Sequence, residues 1–215
     1  MPEAKTRRRS KSGTTPDAGK QGGITPSQTV GPFFAYCLTP RDYGYPEIFS
    51  NDIATDDAQG QRIRIEGRVL DGDGQPVSDA MIEIWQADGQ GRYVQAAEAA
   101  ARPNTAFKGF GRSDTDAEGR YSFTTVKPGA VAGPNGAMQA PHINVSVFAR
   151  GLLRHLFTRI YFEGEAANAR DPILALVPQD ARATLVARRA GEGGTVTFRF
   201  DIRLQGENET AFFET

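Results

Sequence analysis

One cysteine and two histidines in 215 residues is a small stock of soft and borderline metal ligands, and it removes several function classes at once. Cys37 has no partner for an internal disulfide, and two histidines with one cysteine cannot complete a Cys/His zinc site. The lack of a disulfide framework fits a reducing, cytoplasmic setting. An excess of charge of one sign is missing too. The 25 Lys and Arg nearly cancel the 26 Asp and Glu, so no net field draws the chain to nucleic acid or to an anionic membrane. Residues 1–23, "MPEAKTRRRSKSGTTPDAGKQGG", contain no apolar run for a signal peptide or a membrane span, and Arg7-Arg8-Arg9 is not followed by the apolar segment of an export signal. This stretch is expected to be a disordered basic tail. The remaining chain, with an overall 39% hydrophobic and 24% charged residues, suffices for one sizeable core, and its partner is expected to be a small molecule or another protein.

From Ile63 onward the chain reads as short strands separated by turns. "IRIEGRVL" (63–70) alternates apolar and polar, "DGDGQPVSD" (71–79) is a turn cluster, and "AMIEIWQA" (80–87) places Met81, Glu83 and Trp85 on one face and Ile82 and Ile84 on the other. These two strands are expected to form a β-hairpin. "GRYSFTTV" (119–126), "HINVSVFA" (142–149), "HLFTRIYF" (155–162) and "GTVTFRFDIRL" (194–204) repeat the strand signature at spacings suited to a sandwich. Helix is expected only in short pieces, for example in "DARATLVARR" after Asp180. The fold class is therefore all-β, a single β-sandwich domain with short helical segments.

Two Asp/Gly-rich stretches superficially resemble calcium loops. In "DGDGQPVSDAMI" (71–82), Pro76 stands where an EF-hand needs glycine and Ile82 where it needs a bidentate glutamate; "DTDAEGRYSFTT" (114–125) places Gly119 correctly but ends at Thr125. Both are better read as hairpin turns, with aspartate and glycine supplying the backbone conformations such turns require.

A third stretch, "APHINVSVFARG" (140–151), opens like a metal-binding strand and then departs from it. Alternate strand residues face the same way, so a second imidazole belongs two places after His142, where Asn144 stands. A lone His142 is expected to be a buried, hydrogen-bonded strand histidine, His155 a structural or surface residue, and Trp85 and Tyr93 core or strand-pair aromatics.

Six segments in order, "TPSQTVGPFF" (25–34), "GRVLDGDGQPVSDAMIEIWQADGQGRY" (67–93), "GFGRSDTDAEGRYSFTTVKPG" (109–129), "APHINVSVFARG" (140–151), "RIYFEGE" (159–165) and "RFDIRLQGENETAFFE" (199–214), resemble the intradiol ring-cleavage dioxygenases. The resemblance implies a β-sandwich domain over 24–215. It also implies a non-haem Fe(3+) held by two tyrosinates and two histidines of an H-x-H strand, acting as Lewis acid and template. His142 matches the first histidine and Asn144 the second, whose amide is a poor iron ligand. The two tyrosines belong in "VQAAEAAARPNTAFK" (94–108) and "AVAGPNG" (130–136), neither of which contains one. Three of four ligands are missing.

The family also contains paired chains of one fold, a catalytic beta chain with all four ligands and an alpha chain that lines its substrate cavity. The resemblance implies that this chain is of the second kind, with no catalytic residue and no metal of its own, the Fe(3+) being held by the beta chain. The assembled enzyme is then expected to be a higher alpha-beta oligomer that cleaves protocatechuate with O2 to 3-carboxy-cis,cis-muconate in aromatic catabolism. Thr29, Gly31 and Pro32 match the cavity wall, and Arg150 in "FARG" matches a contact to the anionic ring substituent, made directly or through water. Two alternatives stand beside this: a stand-alone transthyretin-like β-sandwich binding module, and an iron enzyme acting alone through His142, His155 and either Tyr121 or Tyr161.

Overall fold

The computed structural model describes residues 38–46, 49–55, 57–94, 106–133, 136–191 and 194–214. Eleven strands run through it: β1 (Arg62–Leu70), β2 (Met81–Gln86), β3 (Phe110–Asp114), β4 (Arg120–Val126), β5 (Val131–Ala132), β6 (Met138–Gln139), β7 (His142–Phe148), β8 (Leu156–Phe162), β9 (Val186–Ala190), β10 (Val196–Arg199) and β11 (Ile202–Arg203). β4, β1, β10 and β9 make one layer, with β11 continuing alongside β1; β3, β2, β7 and β8 make the other. The layers join at β9, whose first residues pair in parallel with β8 (Tyr161 with Val186, Phe162 with Ala187) before the strand turns antiparallel to β10. The expected sandwich is present, nearly closed through this shared strand.

The period-2 pattern sets the inward faces. Ile63, Ile65 and Val69 of β1, Ile82 and Ile84 of β2, Phe123 of β4, Ile143, Val145 and Val147 of β7 and Ile160 of β8 are buried in one cluster. Each such side chain contributes about 1.5–3 kcal/mol on burial, so this row supplies the main driving force for closing the layers. One polar clamp crosses the layers inside it. The Thr125 hydroxyl donates to Gln86 Oε1 (2.9 Å), while Gln86 Nε2 donates to the carbonyls of Val126 (2.9 Å) and Ala87 (3.1 Å), so a wholly buried amide is left without unmet needs.

Two local expectations need correction. β1 and β2 do not form a hairpin: β1 pairs with β4, and β2 pairs with β3 and β7. The segment between them is an arch from one layer to the other, and the segment between β3 and β4 is another. Their Asp/Gly chemistry closes a repeated loop. Asp71 Oδ1 accepts from the backbone N–H of Asp73 and Gln75, Asp88 Oδ1 from Gln90 and Arg92, and Asp116 Oδ1 from Glu118 and Arg120, each at 2.8–3.0 Å. Gly74, Gly91 and Gly119 follow at the same offset with φ of 77°, 79° and 69°, where a Cβ is strained. These carboxyl groups are turned onto the backbone rather than gathered around a cation. After Asp180, the expected helix is a 3-10 turn (Arg182–Leu185) that runs directly into β9, because that backbone pairs on both sides; Asp180 caps only Ala181 N (3.1 Å).

Gly67 carries the closest backbone approach of the strand crossing. Between β10 and β11 the chain passes over β1, and a Cβ on Gly67 would lie 1.8 Å from the Phe200 carbonyl oxygen. That oxygen accepts the buried Tyr121 hydroxyl at 2.6 Å. A backbone atom cannot swing aside as a side-chain tip does, so Gly67→Ala is expected to cost at least about 3 kcal/mol, the upper end of overpacking. Gly194→Ala, with nothing within 4 Å of its Cβ, is expected to stay within about 0.5 kcal/mol. Urea unfolding of the two variants checks both.

Candidate functional site

The outer face of β7 begins with His142, 2% exposed, followed two residues on by half-buried Asn144. Their partners across the sheet are Tyr161 and Arg159 on β8 and Trp85 on β2. The donors and acceptors here form one chain. His142 Nδ1 lies 2.8 Å from the Ala140 carbonyl, which can only accept, so Nδ1 carries the proton and Nε2 presents its lone pair. The Tyr93 hydroxyl donates to that lone pair over a long 3.4 Å and accepts from Asn144 Nδ2 at 3.3 Å; the same amide nitrogen donates to the Trp85 carbonyl at 3.2 Å. The Tyr93 ring packs against Trp85 in a tilted arrangement, 4.4 Å between centroids. Behind His142, Asp171 Oδ2 accepts from Ala140 N (2.7 Å), and Asp171 Oδ1 accepts from the Tyr161 hydroxyl (3.0 Å) and from Ile173 and Leu174 N (2.9 and 2.7 Å).

Burial holds the His142 imidazole below its ordinary pKa, with the Arg159 guanidinium adding to the effect while the Ala140 carbonyl and Asp171 oppose it. Burial likewise raises the Tyr161 phenol, which stays protonated and donates to Asp171. The described residues at this end of β7 do not fit a ferric ion. The Nε2 lone pair, the atom that would bind metal, faces Tyr93, and the position two residues on offers a carboxamide already engaged as a donor. Among the described residues no group of three His, Cys, Asp or Glu side chains is arranged to hold a metal.

Of the remaining candidates, those among the described residues are dispersed. Thr29, Gly31 and Pro32, with the basic tail, lie outside the described residues, as do 95–105 and 134–135. The chain enters the described region at Leu38, whose carbonyl accepts from Arg112 Nη1 (3.3 Å); Arg112 also pairs with Glu83 through Nε (3.0 Å) and covers the Phe49 ring at 4.8 Å. Arg150 stands just beyond the far end of β7 from His142, its side chain 84% exposed and its Nε 2.9 Å from Asp79. Seven residues of strand separate the two ends, roughly 23 Å. His155 is also at that far end, between the rings of Phe148 and Phe157 (centroids 5.0 and 4.4 Å). The lone-enzyme ligand set is therefore not brought together: His155 is a strand-length from His142, Tyr121 is in the core bonded to Phe200, and Tyr161 is bonded to Asp171. Trp85, expected as a packing aromatic, packs against Tyr93 yet remains 48% exposed. Tyr93, Arg159 and Asp171 took part in no expectation of a site. "DPIL" (171–174) advertises a turn, but nothing local announces its contact with residue 140.

A groove of about 690 Å³ lies on the other layer, away from His142, on the outer face of β1 and β4. Its charges answer each other: Arg199 and Arg64 with Glu66 (3.3 and 3.6 Å), and Arg120 with Asp116 (2.9 Å). We read it as a solvated, ion-paired face, because the convergent polar chemistry is at the other layer.

The family described as Dioxygenase matches residues 31–206. The chain belongs to the intradiol ring-cleavage dioxygenases. It is 52% identical over 196 residues to the protocatechuate 3,4-dioxygenase alpha chain of Burkholderia cepacia, covering 88% of this chain and 96% of that one. It is also 39% identical over 182 residues to the beta chain from the same organism, covering 80% and 75%. Among solved structures, the dioxygenase domain of a dioxygenase carbohydrate-binding fusion from Streptomyces sp. SirexAA-E superposes with a TM-score of 0.57 at 25% identity, covering 78% of this chain and 94% of that one. This intradiol family uses iron, and it includes both alpha and beta chains. Among the described residues no helix is long and apolar enough to cross a membrane.

The His142 environment gives this family member an acid-side stability limb. An unfolded histidine takes up a proton near pH 6.5, whereas the folded ring resists it. Below that pH the unfolded state binds more protons, so stability falls as pH drops from about 7 toward 5. His142→Gln is expected to be less stable at pH 7.5, having lost a fitted ring, but to lose less on acidification. Urea midpoints at pH 7.5, 6.5 and 5.5 measure the two slopes.

Proposed function

We propose that this chain is the non-iron-binding alpha subunit of a protocatechuate 3,4-dioxygenase, working beside a homologous beta chain that holds the Fe(3+). The observation that carries the reading is the His142 network, where the His142 and Asn144 atoms that match the family's metal strand are spent on Tyr93 and Trp85. The extensive identity to an alpha chain supports it. The position of Arg150 supports it as well. At roughly 23 Å along the strand from His142, its exposed guanidinium is out of reach of this chain's own degenerate site and faces outward. A role at a substrate cavity is therefore a role at another chain's cavity. In this reading residues 24–215 form the working domain, residues 1–23 are a tail, the setting is cytoplasmic, and Thr29, Gly31, Pro32 and Arg150 line the cavity in which protocatechuate meets O2. The product is 3-carboxy-cis,cis-muconate. This chain supplies shape and positive charge there, since positioning lowers a barrier without any group of its own reacting.

The test is expression with and without the beta chain. Alone, the chain is expected to be colourless and to carry no stoichiometric iron, and Asn144→His is expected to leave it so, because one imidazole does not replace the absent tyrosinates. A stoichiometric red-brown product from the chain alone sinks the reading. In the assembled enzyme, Arg150→Ala is expected to lower kcat/KM for protocatechuate about ten- to hundredfold, the value of a hydrogen bond to a charged group at about 1.5–3 kcal/mol. Use of catechol, which lacks the carboxylate, and the iron content are expected to hold.

A further inference from the structure

We propose that Asp79 is the positioning residue for Arg150, fixing the direction in which its guanidinium leaves the subunit and thereby the preference for a carboxylated over an uncharged catechol. The proposal rests on the reading of Arg150 given above. Arg150 occupies a tight turn closed by Leu152 N to the Ala149 carbonyl (3.3 Å), with Gly151 at φ 82°. Its long side chain is 84% exposed, and its Nε meets Asp79 Oδ2 at 2.9 Å. The two partners are unequally held. Asp79 sits inside a clamped arch: the hydroxyl of buried Thr115 donates to the Val77 carbonyl (2.8 Å) and accepts from Ala80 N (2.9 Å), so both sides of Asp79 are tied to one side chain. Val77 N is bonded in turn to the Val69 carbonyl of β1 (2.9 Å). A short carboxylate on a fixed backbone thus faces a long, rotamer-rich arginine, and the fixed member sets the other.

Two effects of Asp79 on an anionic substrate oppose each other. Its negative charge subtracts from the field of Arg150, while its contact through Nε limits the planes the guanidinium can adopt. In an exposed pair the charge effect is screened by water. The orientation effect is not screened, because arginine otherwise gives up much side-chain freedom when it engages a carboxylate. Orientation therefore dominates, and removing Asp79 weakens rather than strengthens selection of the carboxylate.

The experiment uses the assembled enzyme with Asp79→Asn, Asp79→Glu, Arg150→Ala and the Asp79→Asn/Arg150→Ala double variant, with kcat/KM measured on protocatechuate and on catechol. Asp79→Asn is expected to lower the protocatechuate-to-catechol ratio about two- to fivefold, the scale of one exposed ion pair. The loss should appear in KM rather than kcat, with recovery in Asp79→Glu and no further loss in the double variant beyond Arg150→Ala alone. If Arg150→Ala lowers the ratio while Asp79→Asn leaves it unchanged or raises it, the positioning role is overturned and the reading of Arg150 survives. Equal losses on both substrates, or a double variant worse than Arg150→Ala, also overturn it, by making Asp79 a structural or independent contributor. If Arg150→Ala leaves the ratio unchanged, the reading of Arg150 falls and this inference with it.

Discussion

The carboxyl group of Asp171 is the point on which the second layer and its outer face depend. It is 1% exposed and accepts four hydrogen bonds, from Ala140 N, the Tyr161 hydroxyl, Ile173 N and Leu174 N. These donors come from the entry to β7, from β8 and from the start of the 3-10 turn Leu174–Leu176. Around them packs a small second core of Ala140, Tyr161, Leu174, Val177 and Leu185. Apolar packing alone could bring these pieces together, but it has no preferred register. A buried acceptor does, because each donor left unmet costs about 1–3 kcal/mol. The covering segment is thus placed by polar accounting, on a surface that hydrophobic contact makes sticky.

The influence of Asp171 reaches the candidate site through one residue. Holding Ala140 N steadies the turn that presents the Ala140 carbonyl to His142 Nδ1, and that contact decides which ring nitrogen bears the proton. The lone pair is then on Nε2, aimed at Tyr93. Each member of this chain has its hydrogen-bonding capacity largely used within the subunit, so this end of the sheet is self-contained. The far end is the opposite. There Arg150 and Leu153, 84% (side chain) and 78% exposed, project from the β7–β8 turn. One strand therefore carries an inward-satisfied end and an outward-facing end, and the proposed subunit role uses the second.

What was legible in the sequence follows the range of the interaction. The core faces of β1, β2 and β7 were readable because side-chain alternation is a local property. That Asn144 stands two places after His142 and that two stretches lack tyrosine is visible without coordinates. The pairing of β1 and β2 was misread because "DGDGQP" looks the same whether its strands pair with each other or open into two layers; the Asp71 loop closes on itself in either case. β3 went unseen because "FGRSD" has one large apolar residue, and its place is secured instead by Glu83–Arg112 and Trp85–Phe110 across the strand pair. The hydrogen bonds of Asp171 and Tyr93 could not be assigned, because their partners lie 31 and 49 residues away.

His142 illustrates how a residue that matches a family's metal strand can be held by other contacts. A buried imidazole that served only a metal would, without the metal, leave one nitrogen unmet, and replacing it with an apolar residue would then cost little or even stabilise. In this chain both nitrogens have partners, and those partners belong to other networks: Ala140 to Asp171, and Tyr93 to Trp85 and Asn144. An apolar side chain at 142 would strand the Tyr93 hydroxyl and loosen the Ala140 turn, so the substitution acts on several contacts at once and its cost is not the cost of one bond. The histidine is accounted for by the groups that need it, whether or not a metal is nearby. The amide at 144 fits the same logic, because its donor satisfies the Trp85 carbonyl and Tyr93 together, a task a neutral imidazole with one N–H cannot do twice.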